Sequence, residues 1–195
     1  MVIKVIGLAI LCAVLSSLFC IFMNVVHKLF RKYFKNQYVR VFAGGVMLVL
    51  LNIILNTTDY NGTGMNIIAQ ALNGEAKPTA FLLKALFTAI TIGCGFRGGE
   101  IVPSFFVGAT FGCAMGGLMG LDPGFAAALG MVCFFCGVVN CPLTSLFLSI
   151  ELFGAHGILL FTIGCAVSYM LSGYYSLYNE QKIIYSKLRP HYVNL

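Results

Sequence analysis

Apolar runs of helical length, cut by glycine, proline and clustered charge, make up almost the whole chain. Residues 5–26 carry no charge between Lys4 and His27, enough for one membrane span of about 20 apolar residues. The run ends at Lys28, Arg31, Lys32, Lys35 and Arg40, the densest basic cluster in the sequence, which places that end on the cytoplasmic side. A second apolar run covers 41–58. The polar loop over 59–77, with Asp59, Asn61, Gly62, Gly64, Asn73, Gly74 and Glu75, has the opposite charge bias and is expected outside, with a short interfacial helix over 65–72. Pro78 opens a third helix, to about 94. A glycine-rich break over 93–103 follows, and then helices over 104–120, 124–139, 143–153 and 156–171. Asn140-Cys141-Pro142 interrupts the series. The tail from 173 to 195 holds Lys182, Lys187 and Arg189 and is expected inside. Several helices are shorter than a bilayer, and short, broken helices are a transporter signature.

Composition narrows the class. Of 195 residues, 59% are hydrophobic and 9% charged, with a mean hydropathy of +0.93. A soluble domain carries about 25% charged residues, and disorder requires low hydrophobicity. The expected fold class is therefore an all-α integral membrane protein. It is read as one membrane domain, 1–195, a bundle of tilted, partly broken transmembrane helices in the lipid bilayer. The net charge of +6 is too small and scattered for nucleic-acid binding. Met1 to Lys4 is a short basic start, but the apolar run after it is too long for a leader and lacks a small-residue cleavage site.

Seven of the eight cysteines lie inside apolar runs, where Cys is a small hydrophobe. Cys133, Cys136 and Cys141 have a metal-like spacing, but no His or acid lies nearby, so no metal site is expected. No hydrolase or nucleotide-binding motif occurs, so the chain is not read as an enzyme, and no cofactor is expected. Asn56-Thr57-Thr58 and Asn61-Gly62-Thr63 match glycosylation sequons, a pattern common by chance. Gly108, Gly112, Gly116 and Gly120 recur every four residues and form a smooth helix face for close packing.

The chemistry concentrates at Gly98-Gly99-Glu100-Ile101-Val102-Pro103. Glu100 sits between apolar helices, where an ionisable group is costly and usually functional. Residues 100–103 lead into a helix start, whose free N–H groups attract anions. Irregular backbone at membrane depth is tolerated where it lines a cavity or is buried in protein. The segment reads as an anion site of backbone amides, against the plainer reading of a surface loop with Arg97 and Glu100 in water. Tyr178 offers a neutral hydroxyl donor, or belongs to an interfacial aromatic belt. Glu151 ends a short apolar helix and either pairs with a basic group or serves a proton path; His156 beside it reads as interfacial.

Gly99-Glu100-Ile101-Val102-Pro103 resembles the G-x-F-x-P anion motif of the CLC family of chloride channels and anion/proton antiporters. The flanking Gly95-Phe96-Arg97-Gly98 and Ser104-Phe105-Phe106-Val107-Gly108, the run Asn140-Cys141-Pro142-Leu143-Thr144 followed by Glu151, and Ser176-Leu177-Tyr178 are also similar to that family. The resemblance covers most of the chain. It implies one half of an inverted-repeat fold, with a terminal helix within 174–195. It implies an anion held by Gly99, Glu100, Ile101 and Val102 and by the Tyr178 hydroxyl. Glu100 and Glu151 are the candidates for proton coupling. With Ile101 at the motif's Phe position and Glu100 before it, the variant looks like the fluoride/proton antiporter branch. That favours fluoride over chloride as the halide, with protons as the second substrate. The resemblance is to the second half of a subunit: the G-[KR]-E-G-P-like segment with its gating glutamate is not in this sequence. An N-terminal half is thus an expected partner, the complete protein is expected to be a homodimer, and the plasma membrane is its expected location. The competing reading is a non-transporting membrane fragment or oligomerisation partner.

Overall fold

The computed structural model describes residues 1–178, 181, 183–184, 186–187 and 192. Those residues form eight α-helices and no strand: α1 (Val2–Tyr33), α2 (Gln37–Leu55), α3 (Met65–Leu72), α4 (Ala80–Gly93), α5 (Ile101–Met119), α6 (Pro123–Val139), α7 (Pro142–Phe153) and α8 (Ile158–Leu171). Three of them, α1, α2 and α5, are long and apolar enough to cross a membrane. At a rise of about 1.5 Å per residue, the 14 residues of α4 or α8 span about 21 Å, short of the roughly 30 Å hydrocarbon core.

Several helix boundaries differ from the apolar pattern, among them the end of α1 and the start of α5, where backbone geometry outruns hydrophobicity. α1 does not stop at residue 26 but continues through His27, Lys28, Arg31 and Lys32 to Tyr33. These residues are compatible with helix, and basic groups in the last turn suit its dipole. α5 begins at Ile101 rather than Ser104, because Pro103 is tolerated in a first turn, where its missing N–H costs nothing.

α6 is the centre of the bundle. Every residue from Ala126 to Val139 is buried, and α1, α3, α5, α7 and α8 pack around it. Its ends are set by sequence. Asp122 accepts a hydrogen bond from the Phe125 N–H at 2.8 Å, with Pro123 at the first helical position, a strong N-terminal signal. Asn140 closes the helix in the left-handed region, φ 58°, and Pro142 opens α7.

Three of the four expected glycines make the α5–α6 contact. A Cβ on Gly112 would meet the Ala126 carbonyl oxygen at 2.2 Å, one on Gly116 would meet the Ala126 Cβ at 2.2 Å, and Gly108 lies against Gly130. Gly120 is not on that face: it ends α5 at φ +66°, and its carbonyl accepts from Lys4 Nζ at 2.9 Å. α2 lies outermost. Gly44 alone of its residues is buried, against Cys94, while Phe42, Ile53 and Ile54 are exposed.

After Leu171 the described residues contain no helix. The expected terminal helix falls largely on residues outside the described ones, among them 179, 180, 182, 185 and 188–191. What is described of the tail is tied down near α6. The Asn140 Nδ2 donates to the Tyr175 carbonyl at 2.8 Å, and the Leu177 N–H donates to Val138 at 3.3 Å. Lys187 Nζ donates to Asn140 Oδ1 and, at 2.9 Å, to the Tyr169 carbonyl near the end of α8.

Candidate functional site

The break between α4 and α5 has a defined beginning. Gly95, at φ +102°, donates its N–H to Ile92, and Phe96 donates to Thr91, at 3.0 and 3.2 Å. This pair of bonds is a Schellman ending, which needs a residue at positive φ and takes glycine for it. Arg40 reaches across from α2, its Nε donating to the Cys94 carbonyl at 3.1 Å. A cation thus caps the negative end of α4.

Beyond this anchor the backbone has no internal partner. Among the described residues, the N–H groups of 97–102 meet no hydrogen-bond acceptor. Pairing resumes at Ser104, which donates to the Glu100 carbonyl at 3.1 Å. Pro103 has no N–H. Glu100 is the N-cap of α5, but its side chain makes no capping bond, so the orphan donors of the helix start are left facing outward. Gly98 and Gly99 are exposed, and a Cβ on either would meet nothing within 4 Å. Backbone donors without a side-chain screen are the arrangement that accepts a small anion closely.

Gly98, Gly99 and Val102 line a cavity of about 470 Å³ together with Lys84, Thr88 and Thr91 of α4. Tyr60, Asn61, Gly62 and Thr63 of the polar loop form its other wall. Lys84 was not singled out in the sequence, although a lone lysine inside a 14-residue apolar helix is a readable signal. It is 2% exposed, donates to the carbonyls of Tyr60 and Gly62 at 3.0 and 2.7 Å, and lies 5.1 Å from the centre of the Phe106 ring.

The expected site residues are only partly brought together. Gly99 and Val102 share the cavity wall, while Glu100 and Ile101 follow Gly99 at the helix start without lining it. Glu100 is half-buried and Ile101 is 39% exposed. Tyr178 is 44% exposed. Its hydrogen bonds are local, to Ser176 Oγ and from the Gln181 N–H, and it does not line the cavity. Glu151, on α7, is exposed and forms no ion pair among the described residues, where Lys77 and Asp59 make a surface pair at 3.4 Å. His156 is exposed beyond the end of α7.

The chain is a bundle of short apolar helices in which the break between α4 and α5 sets a row of free amides beside a cavity. The family is identified by comparison. The model of the voltage gated chloride channel family matches residues 1–173, and the chain belongs to that family. It is 36% identical over 154 residues to a chloride/fluoride channel protein of Pseudomonas syringae pv. tomato, covering 76% of this chain and 34% of that protein. It is 25% identical over 195 residues to the H(+)/Cl(-) exchange transporter ClcA of Vibrio cholerae, covering 89% of this chain and 42% of the relative. Among solved structures, that of a CLC-type fluoride/proton antiporter superposes with a TM-score of 0.89 at 30% identity, over 93% of this chain and 46% of that one. The chain thus spans less than half the length of these relatives.

Proposed function

We propose that this chain is part of a CLC-type halide transporter of the plasma membrane, in which it supplies one side of the anion pathway. The observation that carries the proposal is the row of unpartnered amides over 97–102 at the start of an apolar helix. A desolvated anion must replace its water shell with donors, and amides supply them without the immobilising strength of a full charge. In this reading the anion is held by the backbone of Gly99, Glu100, Ile101 and Val102, and by the hydroxyl of Tyr178. Glu100 is the protonatable group at the anion position, and Glu151 the second candidate for the proton path.

Fluoride is favoured over chloride. It is the smaller and more strongly hydrated ion, and an acid that donates when protonated adds a strong hydrogen bond where amides alone fall short. The similarity to a fluoride/proton antiporter and to a chloride/fluoride channel protein supports the halide class. The exposed amide row and the coverage of less than half of each relative support the need for a complementary N-terminal half. The complete assembly is read as a homodimer.

The test is reconstitution. The chain is co-expressed with the N-terminal half of the Pseudomonas syringae relative, and fluoride and chloride efflux from liposomes are followed with and without a proton gradient. Proton-coupled fluoride efflux that exceeds chloride efflux is the expected result. Stable assembly of the two halves with no halide flux would instead favour the non-transporting membrane component.

A further inference from the structure

Residues 1–58 contain no Asp or Glu, and Lys28, Arg31, Lys32, Lys35 and Arg40 crowd the junction of α1 and α2. None of these five cations forms an ion pair among the described residues. Lys28, Arg31, Lys32 and Lys35 are exposed, as cations at a helix end ordinarily are. Arg40 is different. It is partly buried, and its Nε donates to the Cys94 carbonyl at 3.1 Å. Its two Nη groups make no hydrogen bond among the described residues, so a guanidinium fixed in place keeps most of its donors unused. His27 lies within electrostatic reach of both Arg31 and Arg40. The last turns of α1 and the first turn of α2 therefore carry one patch of positive charge.

One residue beyond Arg40 an apolar groove opens along α2. Val41, Val46, Val49 and Leu50 line it with Gly45, and the Phe96 ring, from the break after α4, closes its other side. A Cβ on Gly45 would stand 3.8 Å from that ring. The groove holds about 520 Å³, and no charged or hydrogen-bonding side chain lines it. Residues 41–50 advance about 15 Å along the helix axis, half of the roughly 30 Å hydrocarbon core. The groove is thus one leaflet deep, with the positive patch at one end.

We infer that this end of the chain binds one anionic phospholipid, with its phosphate on the free Nη groups of Arg40 and the neighbouring lysines, and one acyl chain in the groove along α2. A phosphate matches the guanidinium fork with two parallel hydrogen bonds. A zwitterionic headgroup would bring a cation of its own into the same patch, where it is repelled. A hydrocarbon chain fills an apolar groove without leaving a polar group unpaired. The lipid also acts on the break after α4 through Arg40. With the fork held by a phosphate, the Nε bond to Cys94 is fixed, and with it the helix ending that precedes the free amides. This lipid position stands whether or not the assembly carries a halide.

The chain contains no tryptophan, so one introduced into the groove reports on its occupant. Phe96→Trp, in the full 195-residue chain, is reconstituted in phosphatidylcholine vesicles. Quenching is compared for phosphatidylglycerol and phosphatidylcholine that carry the same brominated chains at equal mole fraction. Phosphatidylglycerol is expected to associate about tenfold more strongly or better, since each basic residue near an anionic lipid contributes about fivefold. Arg40→Gln is expected to lower the preference by about fivefold, and Arg40→Lys to lower it less. Leu159→Trp, exposed on α8, is the control and is expected to show no such preference. Val46→Trp, on the α2 side of the groove, gives the same readout where Phe96→Trp does not fold. Equal quenching by the two lipids in the groove overturns the inference, even where Arg40→Gln fails to fold. An unchanged preference in a folded Arg40→Gln variant also overturns it. The same preference at Leu159→Trp does so too, because anionic lipid then gathers around the whole chain. Loss of phosphatidylglycerol quenching on assembly with the N-terminal half of the Pseudomonas syringae relative would give the groove to that protein segment instead and overturn the lipid assignment.

Discussion

Gly108 and Gly130 face each other across α5 and α6 with no space for a side chain on either. A Cβ on Gly108 would stand 2.7 Å from the Gly130 carbonyl oxygen, and one on Gly130 would stand 2.6 Å from that of Gly108. The backbones touch, and dispersion rather than a hydrophobic gain holds helices together in lipid. The amide row at the head of α5 is positioned by this contact, because α6 is the buried axis of the bundle.

Gly130→Ala is therefore expected to force the two helices apart, at a cost of about 1–3 kcal/mol from overpacking. Gly117→Ala is the control. It lies in the same helix, α5, with nothing within 4 Å of its Cβ, and gains up to about 1 kcal/mol in helix propensity. Thermal unfolding in detergent should rank Gly117→Ala at or above wild type and Gly130→Ala below it. The reverse ranking would refute the contact.

Asn140 joins the α6–α7 break to the tail. It holds φ 58°, donates to Tyr175 and accepts from Ser172 and Lys187. Asn140→Ala loses these bonds and places alanine in the left-handed region, a combined cost of about 2 kcal/mol or more. Asn140→Gly restores the backbone but not the bonds. Hydrogen exchange at 173–178 should quicken in both variants, and exchange at the end of α6 more in Asn140→Ala. Undisturbed tail protection in Asn140→Ala would show that the tail is held by other means.

Arg40 orients the approach to the site through the Cys94 carbonyl. Arg40→Met removes a charge-assisted bond of about 1.5–3 kcal/mol and the cation at the end of α4. Exchange of the amides at Gly95 and Phe96 should then accelerate, while the α5–α6 core stays protected. Equal exchange at Gly95 and Phe96 in both proteins would mean that the Schellman ending stands without Arg40.

Glu100 and Tyr178 are separable in the reconstituted assembly. Glu100→Gln keeps a neutral donor but cannot cycle a proton, so anion flux should persist while its dependence on a proton gradient disappears. Tyr178→Phe removes one neutral hydrogen bond, worth about 1 kcal/mol, and should weaken halide affinity about fivefold. Wild-type coupling in Glu100→Gln would remove Glu100 from the proton path, and wild-type affinity in Tyr178→Phe would remove Tyr178 from the anion site.

Much of this architecture was legible before any coordinates. The apolar runs located all eight helices because each helix is built on a largely apolar stretch bounded by glycine, proline or clustered charge, and Gly95, Gly120 and Asn140 fall at or near true helix ends. The resemblance carried by 99–103 and by 140–144 agrees with the family comparison. Lys84 was not legible as part of a site, because its role depends on loop carbonyls 22 and 24 residues away in sequence.

The sequence by itself determined that the chain belongs in a bilayer, that its helices are short and broken, and where the unscreened amides lie. These are local properties: hydropathy, backbone freedom at glycine and the missing N–H of proline all act within a few residues. Only the tertiary structure decided that α6 forms the axis, that Gly108, Gly112 and Gly116 meet α6 while Gly120 turns the chain, and that a buried lysine faces the Gly98–Gly99 backbone across a cavity. Those outcomes depend on which helices touch, and helix contacts in an apolar chain are chosen by shape and close packing, to which a uniform hydrophobic pattern is blind.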